Sequence, residues 1–395
     1  MKIRGSYGSL GNQVMDNLGN FPYLATYGTN SSYNYLINGS KPVIVKAPGL
    51  VASDFTWETV THMDFGFDAS FLNNRLTGTF DWYRRNTKDM LVAGATLPAT
   101  LGASVPKSNS ADMKTIGWEL SLGWNDRLEN GFSYWVKGVL SDYQATITKY
   151  AGNDAGFYSQ SDGDGKYYVG QKIGEIWGYH SNGLFQSDDE AATIDQSELY
   201  AGKWGAGDVK YEDLDGDGKI TKGEETIYNP GDKSIIGNKT PRYQFGITVG
   251  FDYKNFDFEM FWQGTGKRDY MLSGAQFWGF TSQWDVPYTP ALDYWTETNT
   301  DAYFPRPGWQ NGGNRVTSDR YLQSAAYGRL KNLTVGYTIP KNLTTKWGIS
   351  RLRLYVTGEN LLTITPLNDA FDPETLGGLT YPINRKVAIG LNLTL

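Results

Sequence analysis

A twelve-residue segment at positions 213–224, DLDGDGKITKGE, has the side-chain chemistry of a calcium-binding loop. Carboxylates stand at its first, third and fifth positions, glycine at the sixth and glutamate at the twelfth. Ca²⁺ is a hard cation that takes several oxygen ligands, and this spacing wraps a short loop around one ion. The pattern predicts a structural calcium site, and the alternative is an acidic, glycine-rich turn without metal. The expected ligands are the carboxylates of Asp213, Asp215 and Asp217, the carbonyl of Lys219, a hydroxyl or water at Thr221 and the bidentate carboxylate of Glu224.

A second candidate site is the aromatic segment 276–309. Aromatic faces stack on sugar rings, and exposed aromatic surfaces also pack on partner proteins. The functional interpretation is therefore ligand capture or the docking of a partner. The alternative is a small satellite core that orders the segment. The candidate ligand-binding residues are Trp278, Trp284, Trp295 and Trp309.

No catalytic constellation accompanies these two segments. The sequence contains no GxSxG elbow, no HExxH motif and no phosphate-binding loop. His62 and His180 are the two histidines, and neither lies in a motif that would make it a base. Cysteine is absent, which excludes disulfides and thiolate chemistry. We expect a protein that is not an enzyme.

Composition narrows the fold class and the partners. Among the 395 residues, 15 % are aromatic and 47 are glycine, while the charged share is 20 %, a profile that favours strands and turns over helices. A net charge of -6 without any run of lysine or arginine gives no electrostatic footprint for nucleic acid or an anionic membrane surface. No apolar stretch is long enough for a membrane-spanning helix.

Apolar and polar residues alternate with a period of two in many segments, which puts successive side chains on opposite faces of a sheet. In 243–253 the odd positions are all large and apolar or aromatic, and those between them are polar or small. The same pattern fills 65–71, 116–124 and 386–395. Weaker copies occur at 2–8, 76–83, 132–140, 256–262, 331–339 and 351–357, so that we predict about ten strands.

Two features favour a transmembrane barrel over a soluble β-sandwich. Several apolar rows are longer than sandwich strands and carry aromatics towards their ends. The connections also alternate between short and long, as periplasmic turns and extracellular loops do. The calcium loop then lies in the extracellular loop 150–240, which we expect to lack a hydrophobic core large enough to order it, so that a metal clip replaces burial. Tight turns fall at 72–75, 125–131, 253–255 and 340–350, and long segments at 9–58, 91–111, 150–240, 264–326 and 363–384.

Several segments, in their order along the chain, resemble the SusC/RagA family of TonB-dependent outer-membrane transporters. The most specific is 207–264, in which DGDG precedes IGNKTP and a strand that ends in FWQG. IRGSYGSLGNQ, LTGTFDWYRRNTKDML, YGRLKNLTVGYTIP and the closing YPINRKVAIGLNLTL also match family segments, so that the resemblance spans nearly the whole chain.

The resemblance implies an all-β fold in which residues 1–395 form the C-terminal part, about ten strands, of a large antiparallel transmembrane barrel. It implies a place in the outer membrane, in contact with its lipid, and nutrient uptake of oligosaccharides or peptides. The implied partners are the TonB complex and a SusD-like surface lipoprotein. Family members carry a signal peptide, a TonB-contacting segment and a plug domain before the barrel, and we expect those parts to be absent from this chain.

Two other interpretations remain open at this point. The first is a secreted, calcium-stabilised β-protein that binds glycans through exposed aromatics. Extraction separates it from a membrane barrel, because only the barrel needs detergent. The second is a gene remnant that transports nothing.

Overall fold

The computed structural model describes residues 1–12, 23–30, 36–46, 48–53, 55–93, 105–151, 167–376 and 383–395, with single residues at 98, 100, 102, 153, 156 and 381. The strands are β1 (Lys2–Asn12), β2 (Gly28–Asn30), β3 (Ile44–Lys46), β4 (Glu58–Phe71), β5 (Leu76–Ala93), β6 (Lys107–Arg127), β7 (Ser133–Tyr150), β8 (Glu175–Tyr179), β9 (Ser181–Leu184), β10 (Val209–Tyr211), β11 (Lys233–Asn238), β12 (Arg242–Tyr253), β13 (Phe256–Lys267), β14 (Asp269–Met271), β15 (Leu322–Ser324), β16 (Tyr327–Thr338), β17 (Arg351–Ile364) and β18 (Lys386–Thr394). The helices are α1 (Asp188–Ala191), α2 (Ala275–Trp278) and α3 (Lys341–Thr344), with 3-10 turns at Thr289–Leu292, Gly312–Arg315 and Thr345–Trp347.

Helices contribute little to the fold. Each α-helix has four residues. In the part of the chain that the structure describes, no helix has the length and hydrophobicity needed to cross a membrane.

The main element is a ten-stranded antiparallel sheet with the strand order β1-β4-β5-β6-β7-β12-β13-β16-β17-β18. Every strand pairs with its sequence neighbours in the sheet, and the connections alternate between short and long. All ten strands predicted from the period-two pattern are present, which confirms the all-β prediction. Within the described residues, β1 and β18 are the two outermost strands of this sheet.

The apolar face of this sheet is exposed. The side chains of Phe65, Ile247, Val335 and Val356 are 54, 40, 45 and 47 % exposed although they lie in the middle of long strands. A sandwich would cover such a face with a second sheet. These side chains therefore point outward from the sheet, as predicted, and not into the core of a sandwich. We call this the outer face and the opposite one the inner face.

The tight β4–β5 turn shows how local sequence fixes these connections. Leu72, Asn73 and Asn74 all have positive φ, at 55°, 57° and 68°. Asparagine tolerates this left-handed region better than most residues, because its short polar side chain forms local hydrogen bonds. The N–H of Arg75 donates to the carbonyl of Leu72 at 3.3 Å and closes the turn.

Several strands run beyond the segments that alternate. β5, β6 and β7 continue toward the end of the sheet that carries the long connections. In these extensions Ala111, Ile147 and Tyr150 pack against each other, each less than 10 % exposed. A register shift between Asp112 and Met113 interrupts the pairing of β6 with β7. Because a bulge changes which positions share a face, the period-two pattern stops before the strand does.

A charge placed on the outer face should be costly, and Val136 tests this. Val136 is 40 % exposed in the apolar row of β7, whereas the neighbouring Lys137 is on the inner face. We expect Val136→Lys to lower the free energy of unfolding in lipid bilayers by about 1–3 kcal/mol, because a cation within the lipid-facing band loses hydration, although less than at the midplane. Urea titration measures this, with Val136→Leu as the control. Equal stability of the lysine and leucine variants would contradict a lipid-facing position.

Candidate functional site

The long connections gather at one end of the sheet in a cap, which we define as residues 167–240, 268–326 and 365–376. Pairs of short strands build it: β8 with β11, β9 with β10, and β14 with β15. Its buried core consists of Tyr179, Leu184, Val209, Tyr211 and Ile220 from the first segment, Met271, Leu272, Phe277, Trp278, Phe304, Tyr321 and Ala325 from the second, and Leu367 and Leu376 from the third.

The expectation that loop 150–240 lacks an ordering core is wrong. Tyr211 is fully buried and Ile220 is 1 % exposed. The loop has too few apolar residues for a core of its own, but it shares one with the two other segments. Burial in this shared core therefore contributes to ordering the described part of the loop.

A buried carboxylate ties two cap segments together. Asp208 is 1 % exposed and accepts hydrogen bonds from Arg306 Nη2 at 2.8 Å, Asn314 Nδ2 at 2.8 Å and the N–H of Gly205 at 2.9 Å. A buried charge is tolerated when it is paired and hydrogen-bonded in this way. This network holds 205–208 against 306–314, next to the predicted calcium loop.

His180 joins two parts of the first cap segment to the second cap segment. Its Nδ1 lies 2.7 Å from Asp319 Oδ2, and its Nε2 lies 2.7 Å from Ser234 Oγ. Asp319 Oδ1 also accepts the N–H of Ser181 at 2.9 Å. These bonds link the β8–β9 connection to β11 and to the segment before β15. These bonds could not be predicted from the sequence, because the three residues are far apart in the chain.

The predicted calcium loop adopts a closed, glycine-dependent turn. Asp213 accepts N–H groups from Gly216 and Gly218, both at 2.7 Å. The two glycines have φ of 76° and 83°, which side chains rarely adopt. Asp215 accepts from the N–H of Asp217 at 3.2 Å, and Asp217 in turn accepts from the N–H of Lys219 at 2.8 Å.

A residue outside the twelve-residue motif completes the carboxylate group. Oxygens of Asp213, Asp215 and Asp232 all lie within 4.8 Å of one another. Asp232 is fully buried and is oriented by the N–H groups of Leu214 at 2.8 Å and Thr221 at 2.7 Å. Asp217 and Glu224 do not belong to this group.

The electrostatics of the loop favour a cation. The N–H donors of Gly218 and Gly216 hold the pKa of Asp213 below its ordinary value. Partial desolvation, together with the carboxylates of Asp217, Asp232 and Asp213, raises the pKa of Asp215. The oxygens are thus crowded and mutually repulsive, and a hard cation that takes oxygen ligands fits such a donor set.

The aromatic segment divides into buried and exposed members. Trp278 is 8 % exposed in the cap core, and Trp295 packs partly buried against the same core. Trp284 is 83 % exposed and Trp309 is 46 % exposed. Of the candidate ligand-binding tryptophans, the structure therefore leaves Trp284 and Trp309 available to a ligand or a partner.

The inner face of β1, β4, β5 and β6 forms a polar basin of about 710 Å³. On the same face, Arg4 makes ion pairs of 2.9 Å with both Asp68 and Asp81. None of the site residues predicted from the sequence lies on this face. The sequence feature that could have identified this face is the set of polar side chains that alternate with the apolar ones along each strand. The basin is lined by polar and aromatic side chains that include His62, Asp64, Tyr83, Arg85 and Glu119.

Ion pairs hold the third cap segment, 365–376, against the inner face of the sheet. Arg329 on β16 is 2 % exposed, and its Nη2 lies 2.6 Å from Asp372 while its Nη1 lies 3.3 Å from Glu374. Glu374 also pairs with Lys331 at 2.8 Å. The segment 365–376 is therefore held to the sheet by charges as well as by Leu367 in the core.

A family model described as "TonB dependent receptor-like, beta-barrel" matches residues 1–361. The chain belongs to this family. TonB-dependent receptor P3 of Formosa agariphila is 30 % identical over 429 aligned residues, which cover 99 % of this chain and 39 % of that protein. TonB-dependent receptor SusC of Bacteroides thetaiotaomicron is 26 % identical over 405 residues, covering 100 % of this chain and 37 % of SusC.

Solved structures agree on the fold of this TonB-dependent receptor barrel. The RagAB peptide importer in its open-open state matches with a TM-score of 0.75 at 21 % identity, covering 100 % of this chain and 40 % of the matched chain. The RagAB peptide transporter matches with a TM-score of 0.73 at 21 % identity, covering 99 % and 40 %. The chain therefore spans about 40 % of the length of the relatives that it matches.

These findings confirm the resemblance to the SusC/RagA family and the place of the chain in the outer membrane. The interpretation as a secreted protein is set aside. The family is one of transporters, not enzymes. In outer-membrane barrels the short turns face the periplasm and the long loops face outward. In this chain the long connections form the cap, with Asp232 and Trp284.

Proposed function

We propose that this chain forms the barrel wall and extracellular cap of a TonB-driven transporter that imports oligosaccharides or peptides without chemical change. A SusD-like surface lipoprotein is the proposed partner at the cap. The supporting observation is the two-sided sheet, whose outer face is apolar and exposed while its inner face carries the polar basin. Such a wall separates lipid from a polar path.

An uptake assay tests this function. Cells that express the protein containing this chain are given a fluorescent oligosaccharide or a fluorescent peptide, with and without a protonophore that removes the energy for TonB. We expect energy-dependent accumulation of one of the two. A strain that lacks the gene is the control. Equal accumulation in both strains, for both substrates, would contradict the proposal.

The exposed aromatics of the cap are proposed to contact the ligand or the lipoprotein. Trp284 is followed within eight residues by Val286, Tyr288 and Leu292, which are 78, 48 and 59 % exposed. Contiguous exposed apolar residues on a folded domain are typical of interaction surfaces. Trp309 is a second, smaller candidate contact.

We further propose that the 213–224 loop binds Ca²⁺ as a structural clip. Asp213, Asp215 and Asp232 would hold the ion, with Asp217, the Lys219 carbonyl, Thr221 and Glu224 as additional ligands from the motif. When bound, Ca²⁺ neutralises the crowded carboxylates. Extracellular sites of this kind bind with dissociation constants of about 10⁻⁴ to 10⁻³ M.

Two matched substitutions test which carboxylate is the essential ligand. We expect Asp232→Asn to weaken calcium binding by about tenfold or more, because it removes one charge from the group of three. Glu224→Gln should have the smaller effect, since Glu224 lies outside that group. Calorimetric titration of the folded protein measures both affinities. A larger loss in Glu224→Gln would show that the twelfth position is the principal ligand, and no calcium uptake by the unsubstituted protein would exclude the clip.

A further inference from the structure

On the outer face of β5 and β6, apolar side chains are followed by charged ones at neighbouring positions of the two strands. Along β5 the outward positions run from Trp82 to Arg84, and along β6 they run from Ile116 to Lys114. Trp82 lies directly opposite Trp118 across the two strands. Large aromatic side chains mark the edge of the lipid-facing band, where one side is apolar and the other is wet. Arg84 and Lys114 therefore lie at the height of the lipid headgroups.

Neither cation has an acidic partner among the described residues. Arg84 is exposed and donates from Nε to Asn86 Oδ1 at 3.1 Å, which leaves its two terminal nitrogens free of carboxylates. Lys114, which is half-buried, takes part in no ion pair within the described part of the chain. Long cationic side chains at the edge of an apolar band reach toward the headgroup layer, so that two neighbouring cations without a carboxylate partner favour an external anion.

The nearest carboxylates of the outer face are engaged elsewhere. Asp142 on β7 binds Arg242 through both of its oxygens. Asp112 accepts the N–H of Asp89 at 3.0 Å and lies opposite Lys149 in the sheet. Among the described residues, neither carboxylate forms an ion pair with Arg84 or Lys114.

The strand register brings the two cations within reach of one ligand. Arg84 lies opposite Ile116, and Asn86 lies opposite Lys114, so that Arg84 and Lys114 are diagonal neighbours on one face. Such neighbours have Cα atoms about 7–8 Å apart, within reach of long side chains. A phosphate accepts hydrogen bonds from a guanidinium and an ammonium at the same time.

We propose that Arg84 and Lys114 form a binding site for the phosphate group of an outer-leaflet lipid. The site faces outward rather than into the basin, and the apolar band lies directly beneath it. Acyl chains of the bound lipid would lie along Trp82, Ile116 and Phe65, and the phosphate would meet both cations. This arrangement commits the site to a phosphorylated lipid rather than to a free anion.

Retention of lipid by the purified protein tests the site. The probe is phosphorylated lipid A in neutral detergent, with dephosphorylated lipid A as the comparison, and native mass spectrometry measures the bound fraction. We expect selective binding of the phosphorylated form. Arg84→Gln and Lys114→Gln should each weaken it about fivefold, and the double variant about twenty-five-fold, from the effect of one cation near an anionic headgroup.

Arg85→Gln is the matched control, because Arg85 is the next residue of the same strand but lines the inner basin. It should leave lipid binding unchanged. Equal binding by the double variant and the unsubstituted protein would overturn the proposal, as would an equal loss in Arg85→Gln. Complete displacement of the lipid by inorganic phosphate alone would also overturn it, because the site would then recognise a free anion. If the double variant no longer migrates on a gel as a folded protein, the two single variants decide the test. Unchanged lipid binding in both of them would then overturn the proposal.

Discussion

Replacing Asp372 and Glu374 together by alanine is expected to lower the free energy of unfolding by about 3–5 kcal/mol. The two carboxylates are the partners of Arg329, which is 2 % exposed at the inner face of β16. Removing them leaves a buried guanidinium without a counter-charge. A hydrogen bond from Arg329 Nε to Thr363 Oγ1 at 2.9 Å remains, but a hydroxyl carries no charge to compensate it. Urea titration of the folded protein measures the loss.

An exposed ion pair of the same cap is the control for this experiment. Lys203 pairs with Asp188 at 2.6 Å, but these side chains are 79 and 55 % exposed. Lys203→Ala should therefore change stability by less than about 1 kcal/mol. The triple variant Arg329→Met/Asp372→Ala/Glu374→Ala should recover part of the stability that the double variant loses, because it also removes the uncompensated charge. If Asp372→Ala/Glu374→Ala were as stable as Lys203→Ala, the buried pairing would be refuted.

Trp278→Ala is expected to cost about 3–5 kcal/mol, the range for deleting a large aromatic side chain from a core. Trp278 lies on α2 and packs edge-on against Tyr321, with ring centroids 4.6 Å apart, and against Phe304 at 6.0 Å. The substitution leaves a cavity in the core shared by the cap segments. Denaturant unfolding followed by tryptophan fluorescence measures the change.

Trp284→Ala provides the contrast, because the same residue type lies exposed in the same segment. Its effect on stability should stay within about 0.5 kcal/mol. Under the proposed function it should instead weaken capture of the ligand or of the lipoprotein. If Trp278→Ala left stability unchanged, the cap core would not be cooperative. If Trp284→Ala left both affinities unchanged, the exposed patch would have no binding role.

Much of the barrel wall could be predicted, because its rule is local. A strand between lipid and a polar interior must alternate, and the row from Tyr243 to Tyr253 shows this directly. The tight turns could also be predicted, because asparagines such as those at 73 and 74 suit the positive φ that they adopt. The upper ends of the strands were missed where bulges such as that at Asp112 and Met113 break the alternation.

The candidate sites were predicted only in part, because their partners come from distant segments. The calcium motif identified Asp213 and Asp215, but Asp232 joins them through the fold of the loop. The tryptophans of 276–309 could be listed from the sequence but not sorted into buried Trp278 and exposed Trp284.

The sequence by itself determined the alternating wall, its exposed apolar face and the short and long connections, because each depends on neighbouring residues. The tertiary structure alone decided which loops share a core, which carboxylates lie close together and that Arg84 and Lys114 are neighbours on one face. Those contacts join residues that are far apart in the chain, and only the register between strands and the packing of three separate segments bring them together.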